Sequence, residues 1–222
     1  MQSVRSIVLA VTVTLVIGVT VACSGPRSSL AAGTAGTVPR PGGATGSTTG
    51  EPTVDAVLNL LERPLATSFT VEYTIDRKLG AITAGATVAH GPLATSVTVR
   101  NVRFLLDDTS PRTCDLRARS CEDTVVDARV SDLGIGARFW RDSPARALRV
   151  TAARRSGPPA ASTPMVGGQP ATCVDVPVGA GVERYCALAS GVIARWDTAY
   201  VDIEATSTRP TFDQEAFATP TG

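Results

Sequence analysis

Between Ser68 and Ser207 the chain repeats one pattern: apolar and polar residues alternate in short runs separated by turn residues. In FTVEYTID, Phe69, Val71, Tyr73 and Ile75 alternate with Thr70, Glu72 and Thr74. A period of two places one set on an apolar face and the other in water, so the run predicts a half-buried antiparallel strand. Lys78 to Gly80 reads as a turn, and ITAGATVAH alternates again through Ile82, Ala84, Ala86 and Val88. In TSVTVRNVRFLL the apolar parity slips from Val97 and Val99 to Val102, Phe104 and Leu106, which predicts a bulge or tight turn at Arg100-Asn101. Later strands are predicted in ATCVDVPV, VERYCALA and the paired run VIARWDTAYVDIEATS, with Val201, Ile203 and Ala205 on one face.

Helical signals are fewer. Thr53 is a candidate N-cap for a helix carrying Val54, Val57, Leu58 and Leu61, and Pro64 ends it. Residues 125–155 read as mostly helical, with Phe139 and Trp140 as anchors and Gly134 and Gly136 as breaks, and SGPPAASTPMVGGQP reads as a surface loop. Runs of strands with helices segregated between them give an α+β class, a curved antiparallel sheet with helices packed on or closing one face.

Before this domain lie two segments of different composition. Residues 1–22 carry one charge, Arg5, then an uncharged Val/Leu/Ile-rich run, as in a signal peptide. The run is shorter than the roughly 20 apolar residues of a membrane span. Residues 23–50 begin at Cys23 and are dominated by Gly, Ser, Thr, Ala and Pro, a composition expected to stay disordered as a tether. A single domain, 51–220, follows.

Val21-Ala22-Cys23 resembles the bacterial lipobox, although Thr20 stands where Leu, Val or Ile is usual. The resemblance implies that Cys23 is lipidated and becomes the first residue. Each buried chain CH₂ contributes about 0.8 kcal/mol and stable anchoring takes more than one chain, so two or three acyl chains would hold the protein on the outer face of the cytoplasmic membrane. An ordinary leader cut after a nearby alanine is the alternative. Five cysteines leave one over in an exported protein. With Cys23 acylated, Cys114, Cys121, Cys173 and Cys186 pair off completely. Local pairing of 114 with 121 and 173 with 186 would staple two hairpins, while four cysteines allow three connectivities.

The chemistry on offer is sparse. His90 is the only histidine, and the cysteines lack C-x₂-C spacing, so neither a zinc site nor a bound cofactor is expected. No nucleophile elbow or phosphate-binding glycine loop occurs. Asp107-Asp108, Glu122-Asp123 and the pair Asp202 and Glu204 read as solvated carboxylates. No catalytic residue is nominated, and the expectation is a protein that is not an enzyme. Without Arg5 the chain carries 20 basic and 20 acidic side chains, a balance that argues against a nucleic-acid partner.

The order of elements from Thr53 to Phe217, with a leading helix, SFTVEYTI, successive strands, intervening helices and a late strand near YVDIEAT, is similar to that of small actinobacterial lipoproteins related to the LolA, LolB and LppX/LprG lipid carriers. That resemblance implies an incomplete barrel whose helices close over an apolar cavity, and a role in carrying lipids, glycolipids or acylated proteins. Candidate residues for the lining of such a cavity are Phe69, Val71, Tyr73, Ile75, Val97, Val99, Phe104, Trp140, Val201 and Ile203. The implied function is a membrane-anchored lipoprotein that binds a hydrophobic ligand. The alternative is an envelope protein-interaction or sensor module with a solid core.

Overall fold

The computed structural model describes residues 48–220. Helix α1 spans Pro52–Glu62 and buries Val54, Val57, Leu58 and Leu61. Its N-cap is Glu51 rather than Thr53. Pro52, with its preset φ and no N–H to satisfy, starts the helix one residue before the candidate cap. Thr53 therefore lies inside the first turn, its hydroxyl buried without a partner. Arg63 leaves the helix in an extended conformation, as the residue before Pro64 must.

Six strands follow in a meander: β1 (Phe69–Arg77), β2 (Ile82–His90), β3 (Thr95–Val99), β4 (Val102–Leu106), β5 (Arg112–Asp115) and β6 (Ser120–Glu122). The parity slip at Arg100-Asn101 is a tight turn. Val99 faces Val102 and Val97 faces Phe104, so reversal of direction keeps both apolar sets on one face. Arg100 takes the positive φ, 53°, that this two-residue loop requires.

Residues 125–155 are less helical than their composition suggests. A 3₁₀ helix at Asp127–Leu133 ends on Gly134 in the left-handed conformation, and α2 begins only at Asp142, running to Ala153. The irregular stretch between them drives Ile135, Ala137, Phe139 and Trp140 into the core. Next come β7 (Ala160–Ser162) and β8 (Met165–Val166), short strands within the stretch expected to be a loop. Only backbone pairing with the next strand makes them strands, because β7 is exposed throughout and has no apolar alternation to read. Gly167 and Gly168, both at positive φ, make the two-residue turn into β9 (Gln169–Val178). Strands β10 (Gly181–Leu188), β11 (Ile193–Asp197) and β12 (Val201–Arg209) complete the set, and a short 3₁₀ turn lies at Gln214–Phe217.

All pairings are antiparallel, in the order β6-β5-β4-β3-β2-β1-β12-β11-β10-β9-β7, with β8 attached to β9. The first and last strands meet in the middle, and the two meanders run outward from that seam. The edges β6 and β7 do not pair with each other, so the sheet is open. Both edges are blunted: β6 is three exposed residues carrying Glu122, and β7 is bracketed by Pro159 and Pro164. Disulfides Cys114–Cys121 and Cys173–Cys186 join directly opposed residues of β5 with β6 and of β9 with β10.

One apolar core covers one sheet face, with α1 and α2 packed over β9 and β10 and the 3₁₀ segment near β1 and β2. Phe139 meets Tyr73 edge-on at 5.4 Å, and Trp140 tilts against Phe69 at 6.3 Å. The residues after β12 cross the opposite face of β1–β4.

Candidate functional site: a groove beside helix α2

The ten residues nominated for a cavity lining are all buried in that single core. Phe104, Ile75 and Ile203 have no accessible surface. Tyr73 is held by its hydroxyl, which donates to the Ile193 carbonyl at 2.9 Å, and burial pushes that hydroxyl's pKa far above its usual value. On β1 the alternating residues share one buried face, where Phe139 meets Tyr73 and Trp140 meets Phe69.

A recess of about 720 Å³ lies at the surface along α2. Two helical rows form one wall: Ser143, Ala147 and Thr151, and next to them Arg146, Val150 and Arg154. Each row advances four residues at a time, so its members share a face and its ends stand about 12 Å apart. Trp196, Tyr200 and Val201 of the β11–β12 hairpin form the opposite wall, and residues 134–136 close one end. Val201 is the one nominated cavity residue on this groove. Trp140 borders a smaller polar recess and Tyr73 a third, on the far side.

At the deep end of the groove lies a polar cluster that the sequence reading missed. Glu183 shares the inward face of β10 with Tyr185 and is only 7% exposed. Its carboxylate accepts from the Thr151 hydroxyl at 2.6 Å, from the Tyr185 hydroxyl at 2.8 Å and from Arg154 at 2.9 Å. A carboxylate can be buried only with such partners. Burial pushes the Tyr185 hydroxyl's pKa well up, so it stays protonated as a donor. Trp196 stacks on Tyr185 with ring centroids 6.4 Å apart. The signal was present in VERYCALA, where an acid falls in the parity of Tyr185 and Ala187.

Gly136 shapes the closed end. A Cβ there would meet the Asp127 carboxylate at 2.9 Å, and that carboxylate accepts the Ala137 N–H at 2.7 Å. Val150 and Tyr200, 58% and 67% exposed, form an apolar rim. Arg146 is exposed beside them.

His90 lies elsewhere, on the smaller recess of about 250 Å³ together with Asp107 and Asp108. Its Nδ1 is 2.8 Å from the Thr95 hydroxyl and its ring stacks on Phe69 at 5.1 Å. Burial, aided by the Arg141 charge, holds its pKa below the usual histidine value, leaving a neutral ring. Asp107 is held below the usual carboxylate range by the N–H groups of Ser110 and Thr109, its own turn. Glu122 and Asp123 pair with Arg129 and Arg112, and Asp202 and Glu204 both pair with Arg195. Among the described residues no group of three or more His, Cys, Asp or Glu converges to hold a metal ion. No described helix is long and apolar enough to cross a membrane. Cys23 and the segment 1–47 lie outside the described residues.

No family model and no curated protein matches the chain. Among solved structures it is similar to MucB, with a TM-score of 0.49 and 13% identity over 76% of this chain and 63% of that one. A MucA/MucB complex from Pseudomonas aeruginosa gives 0.45 and 11%, over 75% of this chain and 59% of that one. A complex of MucB with MucA(peri) gives 0.39 and 10%, over 77% and 57%. The chain thus spans about three fifths of the length of these structures.

Proposed function

We propose that the protein is a non-enzymatic interaction module of the cell envelope, tethered through a lipidated Cys23, whose groove beside α2 receives an apolar segment of a partner protein. The observation that carries this reading is the filled sheet face. Tyr73 and Phe69, two of the residues nominated for an enclosed lipid cavity, pack against the rings of Phe139 and Trp140, while exposed Val150 and Tyr200 border an open groove. Exposed apolar side chains around a concave recess mark binding surfaces. In this reading Val150, Trp196 and Tyr200 supply the contact area, and the Glu183 cluster fixes α2 against β10 so that the two walls keep their spacing.

The same groove favours a second reading. At about 720 Å³, with Ile135, Ala147, Val150 and Val201 in its walls, it falls in the size range of small-molecule sites. A hydrophobic ligand such as a lipid, glycolipid or acyl chain would lie in it, and a LolA-like incomplete barrel would serve as a scaffold.

A photo-crosslinking amino acid placed at Val150 in the full chain, expressed in its host, separates the two. A discrete protein adduct, missing when the probe is moved to the exposed Leu93, is the expected result. Lipid adducts alone would overturn the interaction reading in favour of the carrier.

A further inference from the structure

The face of β1–β4 opposite the core carries a cross-strand row of buried residues. Thr70 faces Ala89, Ala89 faces Ser96 and Ser96 faces Leu105. Ala89 and Ser96 are each 1% exposed. On an outer sheet face such a row would ordinarily be wet. The segment after β12 lies beside it.

The contacts of that segment have one direction. Ser68 donates to the Pro210 carbonyl at 3.0 Å, Thr70 to that of Thr211 at 2.8 Å, and Ser96 to that of Ala216 at 2.6 Å. Arg103 donates to the carbonyls of Glu215 and Ala218, at 3.3 and 2.8 Å. The sheet supplies side-chain donors and the segment supplies backbone acceptors. Such contacts read the path of a chain and not its side chains. Selectivity comes from two aromatic rings: Phe212 sits over Gly91, and Phe217 meets Phe212 edge-on at 5.4 Å. Asp213 caps the segment's own turn through the Glu215 N–H, at 2.9 Å.

The occupant is less committed than the surface beneath it. No residue from 210 to 220 is fully buried. Among the described residues, backbone-to-backbone hydrogen bonds of 213–218 run within the segment and none joins it to the sheet. Few buried contacts and no ladder bonds place a segment at the low-stability end of a fold.

We propose that the outer face of β1–β4 is a peptide-binding site, occupied in this structure by the chain's own residues 210–218. Its guest in trans is a segment of another protein that carries two phenylalanines five residues apart, with an Asp directly after the first to cap the turn between them. Carbonyl-directed donors accept any chain of that path, and the ring seat over Gly91 selects the phenylalanine. The tethered tail competes at high effective concentration, so the site opens to a guest when the tail is displaced.

The test uses the full chain with Phe212→Ala and Phe217→Ala, which keeps the receptor face intact and weakens its own occupant. A fluorescent peptide of residues 209–220 is expected to bind this variant saturably and at least about tenfold more tightly than the unmodified chain, where the tail competes. Adding Gly91→Leu, which fills the ring seat, is expected to abolish binding. No binding by the folded double variant, or equal binding by the Gly91→Leu form, would overturn the proposal. Should the double variant not fold, Phe217→Ala alone decides. Saturable binding of the peptide by that folded variant, tighter than by the unmodified chain, supports a displaceable occupant, and no binding overturns it.

Discussion

The hydroxyl of Tyr73, on β1, donates to the carbonyl of Ile193, on β11, across the strand that separates them. Both residues are buried, and the Tyr73 ring meets Phe139 edge-on. Tyr73→Phe keeps the ring and leaves a buried carbonyl short of a donor. The expected loss is about 1–2 kcal/mol in urea unfolding, with an unchanged m-value.

Glu183 holds α2 to β10, and its substitution should separate structural from charge effects. Glu183→Ala leaves the buried hydroxyls of Thr151 and Tyr185, 2.9 Å apart, with only each other to bond, one O–H short of an acceptor, and should cost about 2 kcal/mol. Arg154→Ala removes the partner whose side chain is 58% exposed and should cost under about 1 kcal/mol. Paired denaturation curves check the ordering, and an equal cost for both would contradict the buried-cluster account.

His90 gives stability a defined dependence on pH. Its folded pKa lies below the unfolded value of 6.5 because burial and the Arg141 charge disfavour the imidazolium. The unfolded chain therefore takes up the proton first on acidification. Stability from this group is full above pH 6.5 and falls as pH drops toward the folded pKa. Thermal melts from pH 7.5 downward should show a falling midpoint, and His90→Asn should flatten that part of the curve.

The two disulfides should differ in accessibility. Cys173 and Cys186 are both buried within β9 and β10, whereas Cys121 is exposed on the edge strand β6. Mild reductant followed by alkylation and mass spectrometry should label 114 and 121 first. Replacing both Cys173 and Cys186 by Ser should cost roughly 3 kcal/mol, a typical value for a loop of this size.

Cys23→Ser is expected to move the protein from the membrane fraction to the soluble fraction of host cells. Retention at the membrane after that change would contradict acyl anchoring.

Most of the sheet was legible because its strands have one wet and one dry face, and FTVEYTID shows both in its order of residues. β7 and β8 were not, since pairing alone defines them and their side chains carry no period. Alternation also could not say what covers an apolar face. Whether Val71 and Ile203 meet a ligand or a ring depends on where residues 135–140 go, and that stretch has neither helical nor strand periodicity. The groove draws on four separated segments, so only the parity of Glu183 with Tyr185 announced it.

The central seam between β1 and β12 pairs Thr70 with Arg209, nearly the whole domain apart in sequence. Its closure carries the entropy of a loop that contains every other strand, and the high contact order that results makes for slow folding. The β1–β6 meander is contiguous in sequence, while the seam waits for the last strand. A chain emerging from its amino end therefore holds an open row of backbone donors and acceptors on β1 until β12 arrives, and that interval is when it is most exposed to pairing with a neighbour.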